Sequence, residues 1–454
     1  MIDKSINILQ LILVFIFFSI PHLSIAAEQD SVSLTLSEAL KTAADQNPSV
    51  TAALYQVKAA ESKIIQARSG FYPQVYITET FNRTTNPMWA FGAKLNQEVI
   101  TQNDFVPASL NDPAPINNFA TAVSADWSLY DGGRTGISLN QAKNQKDVTS
   151  LMLKLRRQEV IANTAVAYVG LLLAQKNIYV VEQAIETAKA NLKMVRSRFE
   201  SGFVVKSDLL RAQVRFSELE HQRLQAESRV KVAQAMLNAA MGIPVDQSIN
   251  PTTPLERCCE IHGTLEEWIE TALSTRPDLE QLRYHETITR QEIGKSRSDH
   301  LPSLNLFGNY EINSEDFSET GKNYNFGAVV RLNLFSGRRI SGKTREAEAS
   351  LQQIRAISEN MELGIRVETQ SAFLQALSAW KQIHVAKTAV NQAEESLRIV
   401  KNRYKNGLLT IVGLLDAEVA LQQARIRHFR SMHDYKVSRI MLTKAAGTID
   451  IDFQ

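Results

Sequence analysis

The chain is written twice, and no other feature limits its fold as much, because a duplicated unit buries its apolar faces against its own copy or against further copies. Leu36-Ser-Glu-Ala-Leu-Lys-Thr-Ala-Ala-Asp-Gln-Asn-Pro48 reads against Leu265-Glu-Glu-Trp-Ile-Glu-Thr-Ala-Leu-Ser-Thr-Arg-Pro277, an offset of 229 residues that also carries Pro73 onto Pro302. Further along, the offset is 205. Leu129-Tyr130-Asp131-Gly132 matches Leu334-Phe335-Ser336-Gly337, Arg198-Phe199-Glu200-Ser201-Gly202 matches Arg403-Tyr404-Lys405-Asn406-Gly407, and Met241-Gly242 matches Ala446-Gly447. The offsets differ by 24, so the first copy holds 24 extra residues between Phe81 and Phe119. Pro87, Pro107, Pro113 and Pro115 within them indicate a loop elaboration. The organisation read from this is repeat 1 over 27–242, a linker over 243–263, repeat 2 over 264–447 and a tail over 448–454.

Each copy runs through the same periodicities. A helical pattern comes first, from Ser37 with Glu38 behind it as a cap to about Gly70. Two alternating segments follow, near 74–82 and 118–130 in the first copy and near 303–312 and 323–335 in the second. Phe119, Thr121, Val123, Ala125, Trp127 and Leu129 share a face opposite Ala122, Ser124, Asp126 and Ser128, while Tyr324, Phe326, Ala328, Val330, Leu332 and Leu334 oppose Asn325, Arg331 and Asn333. A period of two with one apolar face describes strands suited to lipid on one side and water on the other. After Gly133 and Gly337 the pattern turns helical and stays so to Gly202 and Gly407, a length of roughly 100 Å at the rise of an α-helix. Ile178, Val181, Ile185, Ala188, Leu192, Val195 and Phe199 alternate spacings of three and four, a heptad seam, as do Ile383, Ala386, Val390, Ala393, Leu397, Val400 and Tyr404. The seam resumes beyond each glycine, so each copy holds an antiparallel coiled-coil hairpin turning at Gly202 or Gly407. Scarce breakers, Gly 19 and Pro 12 in 454 residues, agree with long helices.

A global charge field is absent: Lys+Arg 50 against Asp+Glu 48 leaves a net charge of +2, which excludes a nucleic-acid partner held by overall charge. The adjacent Cys258 and Cys259 supply neither a four-ligand zinc site nor a disulfide scaffold, and read as inert linker residues. The eight histidines show no His-Glu-x-x-His spacing, so no metal site, cofactor or catalytic residue is expected. At the N-terminus Lys4, the apolar run over 11–18, Pro21 and Ser24-Ile25-Ala26-Ala27 have the layout of a secretory signal over 1–26, cleaved near Ala26 or Ala27. The longest later apolar stretch, near 165–174, reads as too short for a spanning helix, leaving a soluble, peripheral or β-barrel product.

Four strands per chain fall short of the eight that closed membrane barrels need, so a barrel must be shared between chains. With very long paired helices beside them, these strands resemble the TolC-like outer-membrane efflux protein family from Leu36 to Gly447. The residues that carry the resemblance are Asn47-Pro48 and Arg276-Pro277, Tyr72-Pro73 and Leu301-Pro302, the junctions over 129–134 and 334–338, and the two hairpin turns, in that order, twice. It implies a mostly α fold with a membrane β-barrel: a homotrimer with one twelve-stranded barrel in the outer membrane of a Gram-negative bacterium, above a periplasmic tunnel of coiled-coil helices. The implied function is the exit duct of an efflux or type I secretion system, and the implied partners are a periplasmic adaptor, an inner-membrane pump and outer-membrane lipid. Val123, Ala125, Trp127, Leu129, Val330, Leu332 and Leu334 would face lipid. Gly202, Phe203, Gly407, Leu408 and Thr410 would form the adaptor-docking tips. Asp208 and Tyr404 would make a phenol-to-carboxylate gate latch, with Asp416 and Arg211 at the mouth. The sequence departs from the family at Leu409, where an arginine often joins the latch, and at Gly413, where a second aspartate is usual.

Two rival readings remain. A secreted coiled-coil scaffold without a pore would use the same heptads. Gly337-Arg-Arg-Ile-Ser-Gly342-Lys343-Thr344 matches a phosphate-loop pattern between a strand and a helix, yet that motif works within a parallel sheet, and its repeat partner has Ile137, Ser138 and Leu139 at the last three positions.

Overall fold

The computed structural model describes residues 32–256 and 260–452. The signal-like segment over 1–26, with its cleavage point, and both cysteines lie outside the described residues. Repeat 1 comprises β1 (Val32–Leu34), α1 (Leu36–Gln46), α2 (Pro48–Arg68), β2 (Gln74–Thr84), the short helices α3 (Pro87–Asn96) and α4 (Pro107–Asn111), β3 (Ile116–Tyr130), α5 (Arg134–Glu200) and α6 (Lys206–Met241). After β4 (Ile249–Pro251), repeat 2 comprises α7 (Leu265–Thr275), α8 (Pro277–Ser298), β5 (Ser303–Ser314), β6 (Gly321–Arg331), α9 (Arg339–Lys405) and α10 (Ile411–Ala445).

The first helical segment of each repeat is two helices, not one running from Ser37. Thr35 is the N-cap of α1, its side chain and that of Glu38 closing a capping box, and Thr264 with Glu267 repeats this at α7. Pro48 then has no N–H to continue α1, so Asn47 turns extended (φ −66°, ψ 124°) and caps α2 by accepting from the Ser49 N–H at 2.9 Å. Asn47 Nδ2 also donates to the Ala240 carbonyl at 2.8 Å, tying the break to the end of α6. Arg276 takes the same backbone shape before Pro277 and donates to the Ala445 carbonyl of α10 at 3.1 Å. The two X-Pro motifs thus do one job with different side chains.

Both long helices are 67 residues. α2 and α8 pack along α5, α8 also along α9, and the lower halves of α5 and α9 pair with α6 and α10 as antiparallel hairpins. Between these zones lies the main core, around the parallel β1–β4 pair. Tyr168, fully buried, donates from its hydroxyl to the Leu34 carbonyl at 2.8 Å and accepts from the Thr253 N–H at 3.1 Å. By length and composition α5 contains a window apolar enough to cross a membrane, contrary to the sequence reading; 44% of it is buried, and residues within 160–172 supply the centre of this core.

The four long strands form one antiparallel sheet in the order β2-β3-β5-β6. The register puts Val75, Ile77 and Phe81 opposite Ala125, Val123 and Phe119, then Val123, Ala125 and Trp127 opposite Tyr310, Gly308 and Leu306, and these opposite Tyr324, Phe326 and Ala328. Directly paired residues share a face, so one face of the sheet is mainly apolar, crossed by a single polar row at Glu79, Thr121 and Lys322. Two departures from simple alternation appear. A register shift between Ser128 and Tyr130 pairs Tyr130 with Leu304, so the bulge drops Leu129 from the apolar series and puts Tyr130 in its place. β6 ends at Arg331, leaving Leu332 and Leu334 beyond the strand. The 24-residue insertion is more than a loop, since Pro87 and Pro107 each open a helix at its first turn, where no N–H is needed.

Candidate membrane face, tips and gate

The apolar face is also an exposed face. Val123, Trp127, Tyr130, Tyr310, Tyr324, Phe326 and Val330 are all exposed in a single chain, Ala125 is half-buried among them, and Leu129, expected on this face, is exposed at the bulge beside it. Trp127 donates from Nε1 to the Phe71 carbonyl at 3.0 Å, which holds its ring at the lower end of the sheet. The opposite face is polar: Ser124 donates to Asn309 at 2.8 Å and Asn118 Nδ2 to Asn313 Oδ1 at 2.7 Å. On that side the insertion reaches across the sheet, with Gln97 Nε2 donating to Asn118 Oδ1 at 2.8 Å and Glu98 accepting from the Lys322 N–H at 3.1 Å. Both outer strands, β2 and β6, have one edge without a partner among the described residues.

At the other end of the long helices, each hairpin turns on a glycine with positive φ, +78° at Gly202 and +74° at Gly407. Nothing lies near where a Cβ would stand at either, so the glycines answer to backbone conformation and not to space. Beside them Phe203 and Leu408 are 82% and 73% exposed, and Thr410 is the exposed N-cap of α10.

The two hairpins meet just above these turns. Val195, Ala212, Tyr404, Ile411 and Leu414 form a buried apolar cluster drawn from all four helices. Higher up, Asn191 on α5 donates to Glu418 on α10, and Arg215 on α6 donates to Gln422 on α10 at 2.6 Å, which in turn donates to Gln222 at 2.9 Å. Burial pushes the Glu418 carboxyl up to about 7, against the pull of Arg215, Lys401 and the Asn191 hydrogen bond. Above this point α6 and α10 part around an open groove of about 940 Å³.

The family model described as outer membrane efflux protein matches residues 39–243 and 268–448, taking in both repeats. The chain belongs to that family. It is 25% identical over 427 residues to the outer membrane protein TolC of Vibrio cholerae, covering 91% of each chain. To the alkaline protease secretion protein AprF of Pseudomonas aeruginosa it is 21% identical over 435 residues, 93% of this chain and 86% of that one. In fold it is similar to a membrane protein from Pseudomonas aeruginosa (TM-score 0.77, 18% identity, 92% and 91% covered) and to the Campylobacter jejuni CmeC outer membrane channel (0.75, 18%, 92% and 87%). As an outer membrane efflux protein, the chain sits with its sheet in the outer membrane of a Gram-negative bacterium and its long helices on the periplasmic side.

Against that family pattern the expected latch is not formed in this efflux protein. The Tyr404 hydroxyl is buried with no hydrogen-bond partner, and Asp208 instead occupies the third residue of α6, where a carboxylate favours the positive end of the helix. Burial raises the Tyr404 phenol above its usual range; the Arg198 charge opposes this and the Asp208 charge adds to it. The two departures at Leu409 and Gly413 are one packing feature, because a Cβ at residue 413 would stand 2.8 Å from a Leu409 methyl. An apolar contact replaces the arginine and aspartate. Asp416 and Arg211 both reach the surface, and neither makes an ion pair among the described residues. The residue missed from the sequence is Arg198, whose acceptors are backbone carbonyls and so carry no sequence signal. The phosphate-loop reading fails on context: its strand is the edge of an antiparallel sheet, and Lys343 lies 3.7 Å from Asp299 at the end of α8, beside Arg134 and Arg339.

Proposed function

We propose that three copies of this chain close one twelve-stranded barrel and one helical tunnel, a passive exit duct of an efflux or type I secretion system that opens when a periplasmic adaptor docks at the tips and an inner-membrane pump feeds it. No bond is made or broken in this reading, and the pump supplies the energy and selects the cargo. Asp416 and Arg211 stand near the mouth as counterparts in the two repeats, so three of each alternate around it and largely cancel, giving weak cation selectivity.

The observation that carries the shared barrel is where β6 stops. Its repeat counterpart β3 runs to Tyr130, which corresponds to Phe335, so β6 is four residues short. Those four, Leu332 to Phe335, lack a strand neighbour within the described residues, and Leu334 and Phe335 are 88% and 84% exposed. Carrying the β3–β5 register over the repeat offsets pairs β6 with β2 of the next copy. Trp127 opposite Leu306 becomes Leu332 opposite Ile77, and Tyr130 opposite Leu304 becomes Phe335 opposite Val75. In that pairing Leu332 and Leu334 belong to the extended strand.

Cysteines at Leu332 and Ile77 test this, because directly opposite residues of an antiparallel pair stand at disulfide distance. Oxidation of Leu332→Cys with Ile77→Cys should give a ladder ending at three chains, while Leu332→Cys with Thr78→Cys, one residue away and on the opposite face, should not. Monomers in both cases, recovered from the soluble periplasm without heat-modifiable migration, would leave the scaffold reading in its place.

A further inference from the structure

Arg198 ties the two hairpins of one chain together at their tips. It lies in the last turn of α5 and crosses the seam to the last turn of α9, where Nη1 donates to the Tyr404 carbonyl at 3.0 Å and Nη2 to the Lys405 carbonyl. Its guanidinium stands 5.2 Å from the centre of the Tyr404 ring. These carbonyls are among the four that the end of α9 leaves without an i+4 partner. One guanidinium fork satisfies the Lys405 carbonyl, adds a second bond to that of Tyr404, which also accepts from the Gly407 N–H at 3.1 Å, and puts a positive charge at the negative end of the α9 dipole. The Tyr404 ring beneath it is 3% exposed and packed in the tip cluster, so the surface on which the guanidinium rests is fixed. The carboxylate lock is meanwhile absent: the Tyr404 hydroxyl is unpaired and Leu409 packs on Gly413.

We propose that Arg198 is the positioning residue that keeps the periplasmic mouth shut, by capping the α9 C-terminus of the other hairpin. This rests on the duct reading above and names the latch within it. The bonds suit a reversible device. On parting, the guanidinium and both carbonyls reach water, so opening exchanges charge-assisted hydrogen bonds for hydration and leaves no polar group stranded. The carbonyls are supplied by any sequence at the end of α9, so the specificity of the clasp lies in Arg198 and the ring it rests on.

Two measurements test it. In planar bilayers, Arg198→Ala should raise the open-to-closed ratio on the order of tenfold, the loss of a charge-assisted tie in each chain. Arg198→Lys should fall between, since an ammonium has no fork and stacks poorly. Tyr404→Leu, which keeps the carbonyl but removes the ring on which the guanidinium rests, should also fall between. Arg398→Gln, which removes a cation paired with Glu395 within α9, is the charge control. Separately, with Cys258 and Cys259 replaced by serine, spin labels at Ser201→Cys and Asn406→Cys report the distance between the tips. That distance should be narrowly distributed in the parent and spread in Arg198→Ala. An unchanged label distance in Arg198→Ala overturns the clasp, as does an unchanged open-to-closed ratio in that variant when it conducts. A protein that spreads its labels in Arg198→Ala but never conducts keeps the clasp and sinks the duct.

Discussion

Glu418 shows how one side chain couples the hairpin seam to the acidity around it. Its carboxyl on α10 accepts from Asn191 on α5 and faces Arg215 on α6 and Lys401 on α9, yet burial wins and raises it from 4.5 to about 7. A carboxyl whose pKa is raised by packing favours the packed state when protonated. The stabilisation is complete below the solvated value of 4.5 and lost as pH rises through 7. Lowering the pH from about 8 to about 5.5 should therefore tighten the seam, seen as lower bilayer conductance, and Glu418→Gln should hold the tight state at both values. Equal pH dependence in parent and variant would remove Glu418 from the joint. Neither Glu418 nor Arg198 was legible in the sequence. A burial-driven shift arises from packing between hairpins far apart in the chain, and a bond to a carbonyl has no partner residue to find. What was legible at this scale was the pair of turn glycines, whose positive φ few other residues accept. The Asp208–Tyr404 bond was carried over by position alone, and the structure puts Arg198 on Tyr404 instead.

At the scale of elements, period two found all four long strands, because each has one apolar and one polar face. Their ends were less legible: a bulge shifts Leu129 out of step with Trp127, and β6 stops where its partner strand is missing from the chain. The helix break at Pro48 was read through because the apolar pattern continues across it, although Pro alone forbids the hydrogen bond that would join α1 to α2. Ala125 pairs with Val75 on one side and Gly308 on the other, in the middle of the apolar face. Arginine there must place its charge in the hydrocarbon layer, costing about 2–4 kcal/mol near the midplane. Ala125→Arg should lower the fraction recovered as heat-modifiable, membrane-inserted protein. Ser124→Arg, at nearly the same height but on the polar face, should insert as the parent does. Equal insertion of the two would mean that the face assigned to lipid is not in contact with it.

Across the whole molecule the two ends of a 67-residue helix stand roughly 100 Å apart, which separates the membrane seal from the surface that meets a partner. Changes at one end should therefore be silent at the other, since well-separated sites act additively. The tips present Phe203 and Leu408, the most exposed large apolar residues of the hairpin turns, and exposed apolar side chains at the end of a long rod suit contact with another protein better than contact with water. In a trimer they recur three times each, so six tip sites engage an adaptor together, and losing one class leaves the other to hold it. Phe203→Asp or Leu408→Asp alone should reduce transport modestly, whereas the double variant should reduce it by on the order of tenfold or more, as burying a carboxylate in place of an apolar anchor removes a main contributor to binding. Gly407→Val should act in the same sense through the turn, because its positive φ costs a β-branched residue roughly 1–2 kcal/mol, enough to reshape a tip and too little to unfold α9. All of these variants should keep trimer mass, heat-modifiable migration and the β6-to-β2 cross-link. Transport at the parental level in the double variant, with the trimer intact, would mean that the tips are not where the adaptor docks, and the search for its footprint would move up to the groove where α6 and α10 part.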